Sequence, residues 1–237
     1  MLFIGILDTS LRVEGGAGIA GPGSASAPMV GGLAVLHNAG PWPVSVTSIT
    51  SPTAEPGYSL TRIPEGGGTI VPGAMIEPGD AVQLAPGESM YLSLALAPDG
   101  ETPAAVRSID VHYSALFGLQ FSEHSTAMTL LVYPSDMPVG VASIEGDEKS
   151  VLLYVGAVRD ALRSHDLGML ASIMGNGATF DDAEAFWQTQ VGVTDALAYS
   201  AAEEGKVWSA SFLIIDSANS LPPFYVEWAD YRWSVVR

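Results

Sequence analysis

The sequence predicts two domains of different class: an all-β sandwich over residues 1–138 and an α+β domain over residues 148–237. Three observations carry this. At 237 residues the chain exceeds the roughly 100–150 residues of a common single domain. Fourteen of its sixteen prolines and eighteen of its twenty-six glycines fall in residues 1–138, a density that excludes long helices and punctuates short strands. Beyond residue 148 the apolar positions switch to helical spacing before returning to strand-like runs. Between the two, residues 139–147 end the stretch YPSDMPVGVASIEGD, whose small and turn-forming residues read as a linker.

Composition narrows the function. Aspartate and glutamate outnumber lysine and arginine 26 to 9, for a net charge of −17. Such a surface repels phosphate backbones and anionic headgroups, so we expect no nucleic-acid partner and no basic membrane-binding face. With no cysteine there is neither a disulfide framework nor a thiolate metal site. No run reaches the roughly 18–20 apolar residues that span a bilayer. The opening MLFIGIL lacks the basic region and cleavage site of a signal peptide. It reads either as a first strand or as the stub of a removed signal or anchor.

The elements follow in order. GLAVLHN (32–38) alternates, AGPWP turns, and VSVTSIT (44–50) alternates again. VQLAP (82–86) and ESMYLSLALAP (88–98) follow, then SIDVHYSAL (108–116) and FSEHSTAMTLLVYP (121–134) form a hairpin around Phe117-Gly118. In the second half, Val151, Val155, Val158 and Leu162 form one helical stripe and Leu167, Leu170, Ala171 and Met174 a second, stopped by GNG (175–177). TFDDAEAFWQTQ is a third helix; Asp181 with Glu184 has capping-box spacing, and Thr179 is the alternative cap. Strands are expected at 193–201, 207–216 and 224–236.

VLHNAGPWPVSVTSI, LAPGESMYLSLALAPDG and VRSIDVHYSALFG resemble the immunoglobulin-like sandwich domains of actinobacterial envelope proteins. The shared pattern is a strand, an Asn-x-Gly turn, a proline, a β-branched strand, then "APGE" leading into another strand. The lysine count of two fits such a source. In the second half, the helix order and the turn L-R-S-H-D-L-x-x-L resemble the NTF2-like (SnoaL-like) superfamily, a cone-shaped α+β fold. That resemblance implies a cavity between a curled sheet and the helices, lined by aromatics. Tyr199, Trp208, Phe212, Trp228 and Tyr231 are the residues expected to line it, with Asp195, Glu227 and Asp230 as the strand carboxylates able to enter. None of these carboxylates matches a family motif, so no catalytic residue is assigned.

Candidate chemistry is thin elsewhere. Neighbours on a helix point about 100° apart, so His165 and Asp166 do not face each other as a catalytic pair. Asp166 precedes a helical stripe and reads as an N-terminal cap. GAGIAG (16–21) formally fits a dinucleotide loop, but the following PGSASAP prevents the required helix, so it reads as a flexible loop. His112 and His124 fall nearly opposite across the hairpin; two ligands rarely hold a metal, so no metal and no cofactor are expected. The role expected from this reading is non-enzymatic: an exported or membrane-tethered protein of the cell envelope acting through protein binding or assembly. The interaction is expected through sandwich loops, exposed strand edges or the concave face of the C-terminal sheet, with a protein partner or by self-association through that sheet. The alternative is a small-molecule pocket in the C-terminal domain, binding an apolar ligand or transferring protons.

Overall fold

The computed structural model describes residues 11–63, 75–76, 80–193, 197–204, 207–212 and 220–236, with side chains at 32, 33 and 197–204 outside the description. The opening MLFIGIL and Asp195 therefore lie outside the described residues. Contacts divide the chain into two compact units, Met1–Gly100 with Ala104–Tyr133, and Glu101–Pro103 with Pro134–Arg237.

The first unit holds β1 (Leu11–Glu14), β2 (Gly18–Gly23), β3 (Met29–Asn38), β4 (Val44–Thr50), β5 (Gly57–Arg62), β6 (Val82–Leu84), β7 (Ser89–Leu96), β8 (Ala104–Val106), β9 (Ile109–Ala115), β10 (Leu119–Ser125) and β11 (Thr129–Pro134). Two four-stranded sheets, β1-β3-β7-β5 and β10-β9-β4-β6, are joined by a three-stranded sheet β2-β11-β8. In chain order the first pair reproduces the A-B-E-D and G-F-C sheets of an immunoglobulin-like sandwich, with β6 extending the C edge. Alternation supplies the core: β9 reads buried at Ile109, Val111, Tyr113 and Ala115 with partly exposed residues between. Leu36, Leu92, Leu94 and Leu130 join them in one cluster fed by all three sheets.

GAGIAG departs from the expected flexible loop, since Gly18–Gly23 is strand β2 beside β11. Its glycines are there for close approach. A Cβ on Gly16 (φ 144°) would overlap the Ala127 carbonyl oxygen, and one on Gly18 would sit 2.6 Å from Thr129 Oγ1.

The second unit holds α1 (Glu148–Ser164), α2 (Leu167–Met174), α3 (Phe180–Thr189), β12 (Leu197–Glu204), β13 (Val207–Phe212), β14 (Phe224–Ala229) and β15 (Arg232–Val235). Each helix is capped by a side chain. Asp147 accepts from Ser150 N, Asp166 Oδ1 from Met169 N at 2.9 Å, and Thr179 forms a reciprocal box with Asp182 rather than Asp181 with Glu184. The strands form a simple antiparallel meander, β12-β13-β14-β15. FYVEWADYRWSVV is not one strand: Asp230 (φ 48°) and Tyr231 (φ 60°) make a left-handed two-residue turn that folds it into the β14–β15 hairpin.

This corrects the expected fold class. The immunoglobulin-like sandwich forms, but the NTF2-like cone does not. Among the described residues the chain is β-rich with four sheets, and its three helices span only 17, 8 and 10 residues. The last four strands pair in chain order among the described residues, and α1 and α3 pack aromatic rings against the sheet at Trp233 and Phe224. Residues 141–143 pack onto the last hairpin: Trp233 N donates to Val141 O at 2.9 Å and Ser143 N to Tyr231 O at 2.9 Å.

Candidate functional site

Of the aromatics expected to line a pocket, Trp208, Phe212 and Trp228 lie on one sheet face. Trp208 pairs with Val226 and Trp228 with Trp233, and side chains two apart on a strand share a side. That face is filled. Phe212 and Trp233 are fully buried and Trp228 nearly so. Phe224 contacts both Phe212 (5.3 Å between ring centroids) and Phe186 of α3 (5.2 Å), while Trp233 stacks on Tyr154 of α1 at 6.1 Å. The indole N–H of Trp228 donates to Ser143 O at 3.1 Å and that of Trp233 to Ser150 Oγ at 3.2 Å. Tyr231 sits in the hairpin turn with its ring edge-on to Trp228 at 6.0 Å. Tyr199 occupies the register position opposite Ala210, its side chain outside the described ones. The structure packs Phe212 and Trp228 separately, Phe212 against Phe224 and Trp228 beside Tyr231 at the opposite end of the β13–β14 pair; Trp208 is half-buried.

A cleft of about 420 Å³ opens elsewhere in the second unit, between the end of α2 and the β14–β15 hairpin. Its lining is polar and includes Glu101, Asp136, Glu227, Asp230 and Arg232. Arg232 Nη2 donates to Ser172 O at 2.7 Å, whereas its buried Nε has no partner among the described residues. Gly175 makes room for the guanidinium, since a Cβ there would lie 3.2 Å from Nε and Nη2. Ser234 Oγ accepts from Asn176 Nδ2 at 3.1 Å. The lining holds no imidazole, and no group of three metal-ligating side chains forms among the described residues. Glu227 and Asp230 are the strand carboxylates noted in the sequence. Glu101 and Asp136 come from more than ninety residues earlier in the chain, and no local pattern joins them to the others.

His165 and Asp166 serve different elements. His165 ends α1 in the left-handed conformation (φ 51°), stacks on Trp187 at 4.0 Å and places Nε2 3.4 Å from Glu184 Oε2. His112 and His124 are likewise satisfied apart, by Thr50 Oγ1 at 3.0 Å and Asp110 Oδ1 at 2.9 Å. Their register partners are Ser122 and Asp110, so they are not directly opposite.

At one end of the sandwich an aromatic apex forms. Leu116, Phe117 and Gly118 are all left-handed (φ 46°, 64° and 85°), and Phe117 is fully exposed. Beside it stands Trp42, 43% exposed. The buried Asn38 fixes that loop: Oδ1 accepts from Gly40 N at 3.1 Å, and Nδ2 donates to the carbonyls of Trp42 (2.8 Å) and Leu84 (3.1 Å). Trp42, Pro43, Leu116 and Phe117 border a shallow groove of about 330 Å³. Sequence reading located the turn but not its exposure. The available signal was an uninterrupted uncharged Leu-Phe-Gly at a hairpin tip.

Next to the apex, β10 is an outermost strand, paired among the described residues with β9 alone. Alternate residues of such a strand direct backbone N–H and C=O groups away from the sheet. Phe121 turns inward and stacks on Tyr113 at 5.5 Å, while Gln120, Ser122 and His124 are exposed.

No protein-family model matches the chain, and a search of characterised proteins finds no relative. Among solved structures, the ASH/PapD-like domain of human CEP192 (PapD-like domain 7) aligns at 14% identity and a TM-score of 0.33, covering 53% of this chain and 85% of that one. The E. coli chaperone DraB aligns at 9% identity and a TM-score of 0.31, covering 97% of this chain and 96% of that one. Likenesses this distant add nothing to the strand order described above.

Proposed function

We propose that the protein is a non-enzymatic binding or assembly protein of the cell envelope, exported or membrane-tethered, with the sandwich as its binding unit. The observation that carries this reading is the edge strand β10. It offers seven residues, Leu119–Ser125, whose outer hydrogen-bonding side meets no backbone partner among the described residues. It carries neither lysine nor proline, two of the devices that blunt exposed edges. An extended segment of a partner adds to such an edge through main-chain hydrogen bonds. Glu123 favours a partner strand bearing a cationic side chain. The compartment rests on the resemblance of VLHNAGPWPVSVTSI and LAPGESMYLSLALAPDG to envelope-protein sandwiches.

Photo-crosslinking in the producing cell tests it. A crosslinker at Gln120 or His124 should give one discrete protein adduct that the exposed control position Asp99 does not. Ser122→Pro, which blocks pairing on an edge, should abolish the adduct while the fold persists. Equal labelling at Asp99, or an adduct indifferent to the proline, sinks the reading. Self-association through the last sheet is the second form of the same role, favoured by Tyr225, 52% exposed on β14. A light-scattering mass equal to one chain at high concentration removes it.

A further inference from the structure

We propose that the sandwich apex, Phe117 with Trp42, is an anchor that inserts into a neutral, zwitterionic lipid surface. Phe117 projects with its whole ring in solvent, in a backbone conformation that costs energy for any residue with a Cβ. Leu119, 52% exposed, widens the apolar tip. A ring of this size offers on the order of 150–250 Å² to an apolar medium. Trp42 supplies the amphipathic ring that settles at the headgroup level of bilayers.

Charge selects the lipid. In a chain of net charge −17, residues 38–54 and 113–122 contain no aspartate, glutamate, lysine, arginine or histidine. The carboxylate on the neighbouring 85–88 turn, Glu88, is engaged by Arg62 at 3.3 Å and by Ala85 N at 2.8 Å. The apex therefore approaches a neutral surface without desolvating an unpaired charge, whereas the acidic remainder is repelled by anionic headgroups. Phe117 is fully exposed in the hairpin turn, and a lipid interface receives such a side chain without the matching pocket that a protein partner would need. The groove behind it is shallow and partly floored by Ser45, Gln83 and Ser114. A fluid interface conforms to an exposed turn and accommodates a side chain about 5–10 Å deep.

The inference goes beyond the protein-binding reading and fails separately from it, since crosslinking at β10 involves no lipid. The test is co-sedimentation of the full chain with phosphatidylcholine vesicles. The wild type should partition onto them, and vesicles with 30% phosphatidylglycerol should bind several-fold less at low salt, a difference that high salt removes. Phe117→Gly suits the left-handed backbone, so it should keep or raise the melting temperature while weakening partition by roughly tenfold or more. Phe117→Trp should retain partition, shift its emission to the blue and be quenched by brominated phosphatidylcholine. Absent partition at millimolar lipid, or equal partition by Phe117→Gly, overturns the proposal. So does a lipid-free change of mass on Phe117→Gly, which would make the apex a protein contact.

Discussion

Replacing Tyr154 with phenylalanine isolates one buried hydroxyl. Its O–H donates to Ile173 O at 3.0 Å, a carbonyl in the last turn of α2 that has no residue of its own helix to bond. The ring remains stacked on Trp233 in the variant, so the change is confined to one hydrogen bond and one stranded carbonyl. Such a loss costs about 1–3 kcal/mol. For a unit of this size each kcal/mol lowers the melting temperature by about 4–8 °C. Burial also pushes the Tyr154 pKa well above its ordinary value of 10, with the Arg232 charge opposing only in part. A raised folded-state pKa means that the stability is fully present below pH 10 and is lost as pH rises beyond it. There the unfolded chain ionises and the folded chain does not. The wild type should therefore lose about 1.4 kcal/mol between pH 8 and pH 11 that Tyr154→Phe does not lose. Tyr58, whose pKa is raised by burial and by Asp80, has the same sign but is present in both proteins and cancels. Urea titrations at pH 8 and pH 11 measure the gap between the two proteins. A gap below about 0.5 kcal/mol at pH 8, or one unchanged at pH 11, refutes the reasoning.

Three further outcomes are expected. Asp166→Ala should cost about 1 kcal/mol by leaving the first turn of α2 uncapped, and Asp182→Ala a similar amount through the α3 box; denaturant midpoints measure both. Asp147 has its pKa lowered chiefly by the Ser150 N–H, so its contribution is present above about pH 4 and is lost as pH falls through that range. Asp147→Asn should flatten the acid limb of a stability–pH curve. Gly16→Ala should destabilise the first unit by at least about 2 kcal/mol through collision with the Ala127 carbonyl and a φ that alanine resists. Slower hydrogen exchange in β2 of the variant than in the wild type would contradict this.

Local signals were the readable ones. The positions of α1, α2 and α3 followed from stripes ended by His165-Asp166 and by Gly175-Asn176-Gly177, because caps and glycines act within a few residues. The immunoglobulin-like sandwich was legible for a related reason, since the alternation in β9 and the HNAGPWP turn report burial directly, but its strand order was not: the run 121–134 divides into β10 and β11 of different sheets. Long-range packing was not readable. Alternation places Trp208, Phe212 and Trp228 on one face but cannot say whether that face encloses a cavity or is filled from outside. Filling came from Tyr154 and Phe186, on helices far from Trp233 and Phe224 in the sequence. GAGIAG misled because glycine marks both a loop and a strand against which another backbone packs closely. The polar cleft around Arg232 was illegible, since its walls come from four separate stretches of chain.

The indole N–H groups that pin residues 143 and 150 to the last hairpin have an experimental consequence. Of the five tryptophans in the chain, those at 187, 208, 228 and 233 belong to the second unit and Trp42 alone to the first. Removing the single indole at 42 turns intrinsic emission into a reporter of the second unit only. The difference spectrum against the parent follows the sandwich, so one cuvette can show whether the two units melt together or apart.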